Sequence, residues 1–237
     1  QELGFDSLKH RLYLLQHYCD GFNGSLATGQ RFMIEPETGK ARISGSMAAL
    51  CGLEKSLENQ DESEIALAIK RIHLQHAIIL SLGGLPMIYS GDEIGLPNNY
   101  DYVFDEAKKY DNRWLHRSQM NWKVVAQLEE NGSAASPIFH QLKHLIAMRK
   151  QTPAFADNND LALIDYPNAR LLMFSKTSAA GEQVQVVANF TEAETHFDFP
   201  LFNSLKPSQQ LVDLISGKQF SLGEKQQIGA YEVLWIM

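Results

Sequence analysis

The chain has 237 residues, with 21 Lys and Arg against 28 Asp and Glu, so its formal net charge is −7. Hydrophobic residues make up 44% and charged residues 21%, the balance of a globular chain with ample material for a core. This disfavours a free-standing nucleic-acid binder, which needs clustered Lys and Arg against phosphates, and no apolar run approaches the roughly 18 residues of a membrane span. Neither nucleic acid nor membrane is therefore expected as a partner.

No basic segment followed by an apolar core marks a secretory signal. There is no initiator Met, and the opening Gln1-Glu2-Leu3-Gly4 suggests a processed product or a piece of something longer. Cys19 and Cys51 are too few for a disulfide framework. Both read as small buried hydrophobes, which fits a cytoplasmic location.

The elements follow in chain order. Leu8, Leu12 and Leu15 share one face of a helix over Asp6–Tyr18. Gly21-Phe22-Asn23-Gly24 breaks the chain, and residues 35–40 form a turn. A short helix over Ser44–Leu53 has Ser44 or Ser46 as its cap. The clearest helix runs from Glu62 to Ser81. Asp61 caps it with Glu64 three residues on, Ile65, Ile69, Ile72, His76 and Ile79 line one face, and Gly83-Gly84 ends it. Residues 85–89 read as a buried parallel strand. A long loop follows, from Ser90 to about Ser133, of the kind that often carries function. Ser136 caps the next helix, with Pro137 in its first turn.

The periodicity changes near Gln151-Thr152-Pro153. Beyond it, residues 161–166, 170–176, 184–190, 195–199, 210–215 and 231–237 read as strands of a small antiparallel sandwich.

Several residue groups could carry chemistry. Asp92 and Glu93 are adjacent, and neighbours on an extended strand point to opposite faces. They cannot act as a carboxylate pair across one bond, so anchoring of a strand end is the better reading, although one could face a cleft. His140 with His144, and His73 with His76, have helical spacing that could serve a metal, but no H-E-x-x-H arrangement accompanies them. No metal or other cofactor is expected. Asn23, Asn131 and Asn189 begin glycosylation sequons, a short pattern prone to chance matches. In the long loop, Asn98-Asn99-Tyr100-Asp101-Tyr102 precedes Tyr110-Asp111-Asn112-Arg113-Trp114 and His116-Arg117. Aromatic faces beside Asn, Asp and Arg suit a polyhydroxylated ligand. A solvated loop anchored by an inward Trp114 fits equally well.

The run from Gly84 to Gly95, Gly-Leu-Pro-Met-Ile-Tyr-Ser-Gly-Asp-Glu-Ile-Gly, resembles the eighth-strand signature of the α-amylase superfamily of glycoside hydrolases. Asp20–Ser25, Arg42–Ser46, Asn98–Tyr102 and Asp111–Arg117, in this order, resemble amylosucrase and its sucrose-hydrolase relatives. The segment 231–236 resembles the last strand of that family's C-terminal domain. The resemblance implies an α+β chain: residues 1–152 would be the C-terminal part of a (β/α)8 barrel with the insertion after strand seven, and 153–237 an antiparallel β domain. The family's nucleophilic Asp, acid/base Glu and third Asp follow earlier strands, so the resemblance implies no catalytic residue here. It implies instead a pocket rim for an α-glucoside or glucan. Arg42 would contact the sucrose or acceptor side, and Arg113 would fork onto an upstream Asp. Asp101 and Tyr102 would line the same pocket. Gly21 stands where relatives carry an arginine, which weakens the likeness to amylosucrase relative to sucrose hydrolase.

The expected function is that of a C-terminal portion of a retaining α-glucoside enzyme, inactive alone. Its partner would be the missing N-terminal barrel half, or further copies of itself through exposed apolar faces. The alternatives are a carbohydrate-binding or interaction module without chemistry, and an unrelated two-domain scaffold.

Overall fold

The computed structural model of the chain describes residues 4, 6–129, 133–156, 160–199, 210–222 and 224–237. The chain forms two compact units. One comprises residues 1–72 and 88–139, the other 73–87 and 140–237.

In the first unit, helix α1 spans Ser7–Cys19 and starts where Asp6 Oδ1 accepts the Leu8 and Lys9 amides at 3.0 and 3.2 Å. Satisfying these otherwise orphan donors fixes the helix start. Strands β1 (Gln30–Phe32) and β2 (Arg42–Ser44) pair antiparallel around the expected turn, which Glu35 N–H closes onto the Lys40 carbonyl at 2.8 Å. Helix α2 (Met47–Leu50) is capped by Ser46, not Ser44, and α3 (Leu53–Glu58) follows at once. Helix α4 (Glu62–Ser81) begins on Asp61, whose Oδ1 accepts the Ser63 and Glu64 amides at 3.1 Å. Ala48, Leu53, Ala68, Ile72 and Ile138 form a buried core cluster, with Ile65 and Ile69 packed against it. A second cluster joins Ile94, Leu128 and Ala135.

The long loop is not structureless. It holds 3-10 turns at Asp92–Ile94, Tyr100–Phe104 and Asn112–His116, and the short helix α5 (Trp122–Ala126). Helix α6 spans Ala135–Gln151, and Ser133 Oγ accepts the Ala135 amide at 3.2 Å. The helix therefore starts one residue before Ser136, because Ser133 reaches the first amide and leaves Ser136 inside the first turn. The sequon at Asn131 lies outside the described residues.

Residues 85–89 form neither a helix nor a strand. Among the described residues, the backbone of 85–88 makes no hydrogen bond. Leu85 and Met87 are 89% and 87% exposed. A parallel strand exists only beside a neighbour, and no described segment pairs with this one.

The second unit holds β3 (Asp160–Leu163), β4 (Leu171–Thr177), β5 (Gln183–Asn189) and β10 (Val233–Ile236) in one antiparallel sheet of order β10-β5-β4-β3. Two ribbons accompany it: β6 (Thr195–Phe197) with β9 (Gln226–Ile228), and β7 (Gln210–Val212) with β8 (Gln219–Ser221). Met173, Val187, Leu234 and Ile236 from one sheet face meet Phe197, Leu211, Phe220 and Ile228 from the ribbons in a buried core. The opposite sheet face buries Trp235 edge-on against Phe155, centroids 4.8 Å apart. Alternating inward residues from facing layers thus give the sandwich its core. The three-residue strands β8 and β9 are too short to show alternation in sequence.

Among the described residues, no helix is long and apolar enough to cross a membrane.

Candidate functional site

The β1–β2 ribbon organises the candidate site. Its register pairs Gln30 with Ser44, Arg31 with Ile43 and Phe32 with Arg42. Cross-strand partners share a face and successive residues alternate. Gln30, Phe32, Arg42 and Ser44 therefore lie on one face, and Arg31 with Ile43 on the other. Arg31 uses that other face to fork onto Asp20 at the end of α1, with Nε 2.8 Å from Oδ1.

Two elements of the long loop, the 3-10 turns Tyr100–Phe104 and Asn112–His116, meet the first face. Tyr102 O–H donates to Gln30 Oε1 at 2.8 Å. The Arg113 guanidinium lies over the Phe32 ring, 5.4 Å from its centroid. Ser44 Oγ contacts both the Asn112 carbonyl and His116 Nδ1 at 3.0 Å. Asn112 Nδ2 also donates to the Arg31 carbonyl at 2.7 Å. Arg42 and Arg113 are thus brought to the same ring, one beside Phe32 across the ladder and the other above it.

The four residues singled out from sequence have different surroundings. Tyr102 is buried, whereas Arg42, Asp101 and Arg113 are exposed. The Arg42 side chain makes no hydrogen bond or ion pair with the described residues. Asp101 sits in the 3-10 turn that Asn99 caps, its amide donating to Asn99 Oδ1 at 3.0 Å. Arg113 forks onto Asp111: Nε lies 2.8 Å from Oδ1 and Nη2 2.7 Å from Oδ2. Hydrogen bonding to Arg113 holds the Asp111 carboxyl at about 2. The chain thus supplies Arg113 with a local carboxylate.

Trp114 does not present an open ring. Lys108 Nζ and Arg117 Cζ each lie 5.1 Å from its centroid. Tyr110 is 89% exposed, with Lys109 Nζ 5.0 Å from its ring centroid.

A buried polar node behind the loop was not apparent from sequence. Glu54, only 5% exposed, accepts from Thr28 Oγ1 at 2.8 Å, the Asn98 amide at 2.6 Å and the Tyr100 hydroxyl. Asn98 extends the node, its Nδ2 donating to the Thr28 carbonyl at 2.8 Å and its Oδ1 accepting the Ser46 amide at 2.9 Å. A buried carboxylate is tolerated when several donors replace water. The node fixes the start of the turn that carries Asp101 and Tyr102. Its partners are 26 to 46 residues apart, so no local pattern announces it.

Asp92 and Glu93 occupy a 3-10 turn instead of a strand end. Glu93 accepts the Gly91 amide at 2.6 Å. Burial pushes the Asp92 carboxyl up to about 6, and nearby Glu93 adds to the rise. Hydrogen bonds with the Met47 and Tyr89 backbone oppose it. The cysteines are partly buried. Burial is the main cause that pushes Cys19 up to about 11 and Cys51 to about 12, so neither thiol is primed as a nucleophile. His144 contacts the Ile215 carbonyl through Nε2 at 2.7 Å, a donor role that takes this nitrogen out of metal ligation.

No profile of a known protein family matches the chain. It is 27% identical over 180 residues to a glucosylglycerate phosphorylase from Escherichia coli, covering 76% of this chain and 29% of that one. It is 27% identical over 172 residues to a trehalose synthase from Thermus thermophilus, covering 64% and 17%. A pullulanase from Anoxybacillus, solved with maltotetraose, shares the fold at a TM-score of 0.51 and 16% identity, over 78% of this chain and 25% of that one. Together with a cyclomaltodextrinase and an α-amylase, these relatives are enzymes of the α-amylase superfamily. The mixed helical and antiparallel-sheet architecture matches the C-terminal part of such enzymes. The chain spans under a third of the length of these first relatives.

Proposed function

We propose that this chain is the C-terminal portion of an α-amylase-superfamily enzyme acting on sucrose or a related α-glucoside by retaining glucosyl transfer or hydrolysis. In this reading residues 1–152 complete a (β/α)8 barrel and 153–237 form its β domain. The reacting carboxylates belong to the preceding part of the enzyme, which would form a glucosyl ester and pass the sugar to water or another acceptor. The similarity to a phosphorylase adds inorganic phosphate to the candidate acceptors.

One observation carries the reading. Arg42, Arg113 and Tyr102 are gathered on one ribbon face, with Asp101 beside Tyr102. Guanidinium donors flanking aromatic rings suit a sugar, whose hydroxyls accept and whose C–H faces stack. The unpaired segment 85–89 supports a second element: the preceding part of the enzyme would be a partner that pairs with this segment.

The test is turnover of sucrose and of maltose, with and without phosphate. The chain alone is expected to release no glucose, fructose or glucose 1-phosphate. The chain joined to its preceding polypeptide is expected to do so, and Arg42→Ala is expected to weaken that activity. Turnover by the isolated chain would overturn the proposal. Sugar binding without turnover even in the joined protein would favour a non-catalytic carbohydrate-binding module.

A further inference from the structure

We propose that His116 is a ligand-binding residue of this face, presenting Nε2 as a neutral acceptor for a sugar hydroxyl. The inference rests on the reading of the ribbon face as a sugar-binding rim.

The argument begins with one proton. Ser44 Oγ lies 3.0 Å from the Asn112 carbonyl oxygen and 3.0 Å from His116 Nδ1. A serine hydroxyl has a single hydrogen to give, and a carbonyl oxygen can only accept. The hydroxyl therefore donates to Asn112, and Nδ1 must carry the hydrogen that reaches Ser44. The chain of donors runs from Nδ1–H to Oγ–H to the carbonyl. In a neutral ring this leaves the lone pair on Nε2.

The surroundings keep the ring neutral. Burial is the main cause that lowers its pKa below 6.5, and Arg117 and Arg113 act in the same direction. Asp111 opposes them, but its carboxylate is forked by Arg113. The Tyr89 ring packs edge-on at 5.5 Å and brings no charge. Among the described residues, nothing donates to Nε2.

The placement gives this lone pair a use. Ser44 lies two residues from Arg42 on the same ribbon face, and His116 lies in the same 3-10 turn as Arg113. Arg42 and Arg113 offer only donors. Beside these two guanidiniums alone, a phosphate or carboxylate would be held as readily as a hydroxyl. An added acceptor requires a group that also donates. A sugar hydroxyl can accept from a guanidinium and donate to an imidazole, whereas an ionised carboxylate or fully ionised phosphate cannot. His116 would therefore select a hydroxyl at this position.

Long-range proton–nitrogen spectra of the histidine-labelled chain at about pH 7.5, above the ordinary histidine range, test this directly. The probes are maltose and sucrose, and the Trp114 indole N–H is the second reporter. The ligand-free spectrum is expected to show the Nδ1–H tautomer, and Ser44→Ala is expected to mix the tautomers. Sugar is expected to shift Nε2. His116→Gln, which returns a carbonyl oxygen near that position, should keep affinity within about threefold, whereas His116→Leu should lose about three- to tenfold, one hydrogen bond's worth. A charged ring or an Nε2–H tautomer would overturn the proposal. A sugar that shifts Trp114 but leaves His116 unmoved would overturn it while the rim reading stands. If neither reporter moves, the rim reading fails and the ligand contact fails with it.

Discussion

Asp92 shows how a single residue's setting differs from its sequence appearance. It sits between Gly91 and Gly95, whose φ angles of 104° and 63° bend the chain so that the carboxylate is carried into the protein. Its folded pKa of about 6 lies above the unfolded value of 3.8. Between these values the folded chain binds more protons than the unfolded chain, so stability falls as pH rises through the window. Above about pH 6 the cost is fully present. Asp92→Asn is therefore expected to raise the melting temperature at pH 7, by on the order of 1–2 kcal/mol in stability after allowance for partial solvent screening. The gain should vanish below about pH 4, where both carboxyls are protonated. Thermal melts across pH, wild type against variant, read this. The adjacency of Asp92 and Glu93 was legible in the sequence, as was their unfitness as a facing pair. The burial was not, because it depends on what packs over the turn.

At the scale of elements, helix starts were the most readable features. Asp61 caps as its spacing predicts and Ser46 is one of the two caps expected for α2, since a cap needs only residues three apart, while Asp6 caps a helix expected from its leucines alone. The ribbon strands were hidden: three residues each cannot display a period. Only their turn was visible, at residues 35–40. The node on Glu54 was hidden for a different reason, since its donors converge from two segments far from it in the chain, Thr28 and Asn98–Tyr100. Glu54→Ala would leave Thr28, Asn98 and Tyr100 without that acceptor. A loss of about 2–4 kcal/mol is expected, the sum of a few unsatisfied buried donors and a small cavity. Glu54→Gln, which keeps one acceptor oxygen, should lose less. Denaturant unfolding of the two variants distinguishes a buried acceptor from a merely space-filling side chain, for which both would lose equally.

At the scale of the whole molecule, the segment 85–89 carries the main consequence. Leu85 and Met87 expose nearly all of their surface, and among the described residues the backbone of 85–88 makes no hydrogen bond. Exposed apolar side chains and open peptide groups together invite pairing with another chain. The isolated chain is expected to self-associate, and the double variant Leu85→Ser, Met87→Ser to do so less, as read by light scattering at matched concentrations. A wild-type chain that stays monomeric would count against this reading. The sequence marked these residues as strand material, because an apolar run flanked by glycines has that composition.

What the sequence alone determined is what depends on neighbours in the chain: the capped helices, the turn at 35–40, the antiparallel β region after residue 160, and the residue types gathered in the long loop. Tertiary structure decided that Arg42, Arg113 and Tyr102 are gathered at one ribbon face, that Glu54 is a buried acceptor for Thr28, Asn98 and Tyr100, and that 85–89 pairs with no strand among the described residues. The physical reason is range. Capping and turn chemistry act over three or four residues, whereas a shared face, a buried carboxylate or a paired strand is defined by segments far apart in the chain.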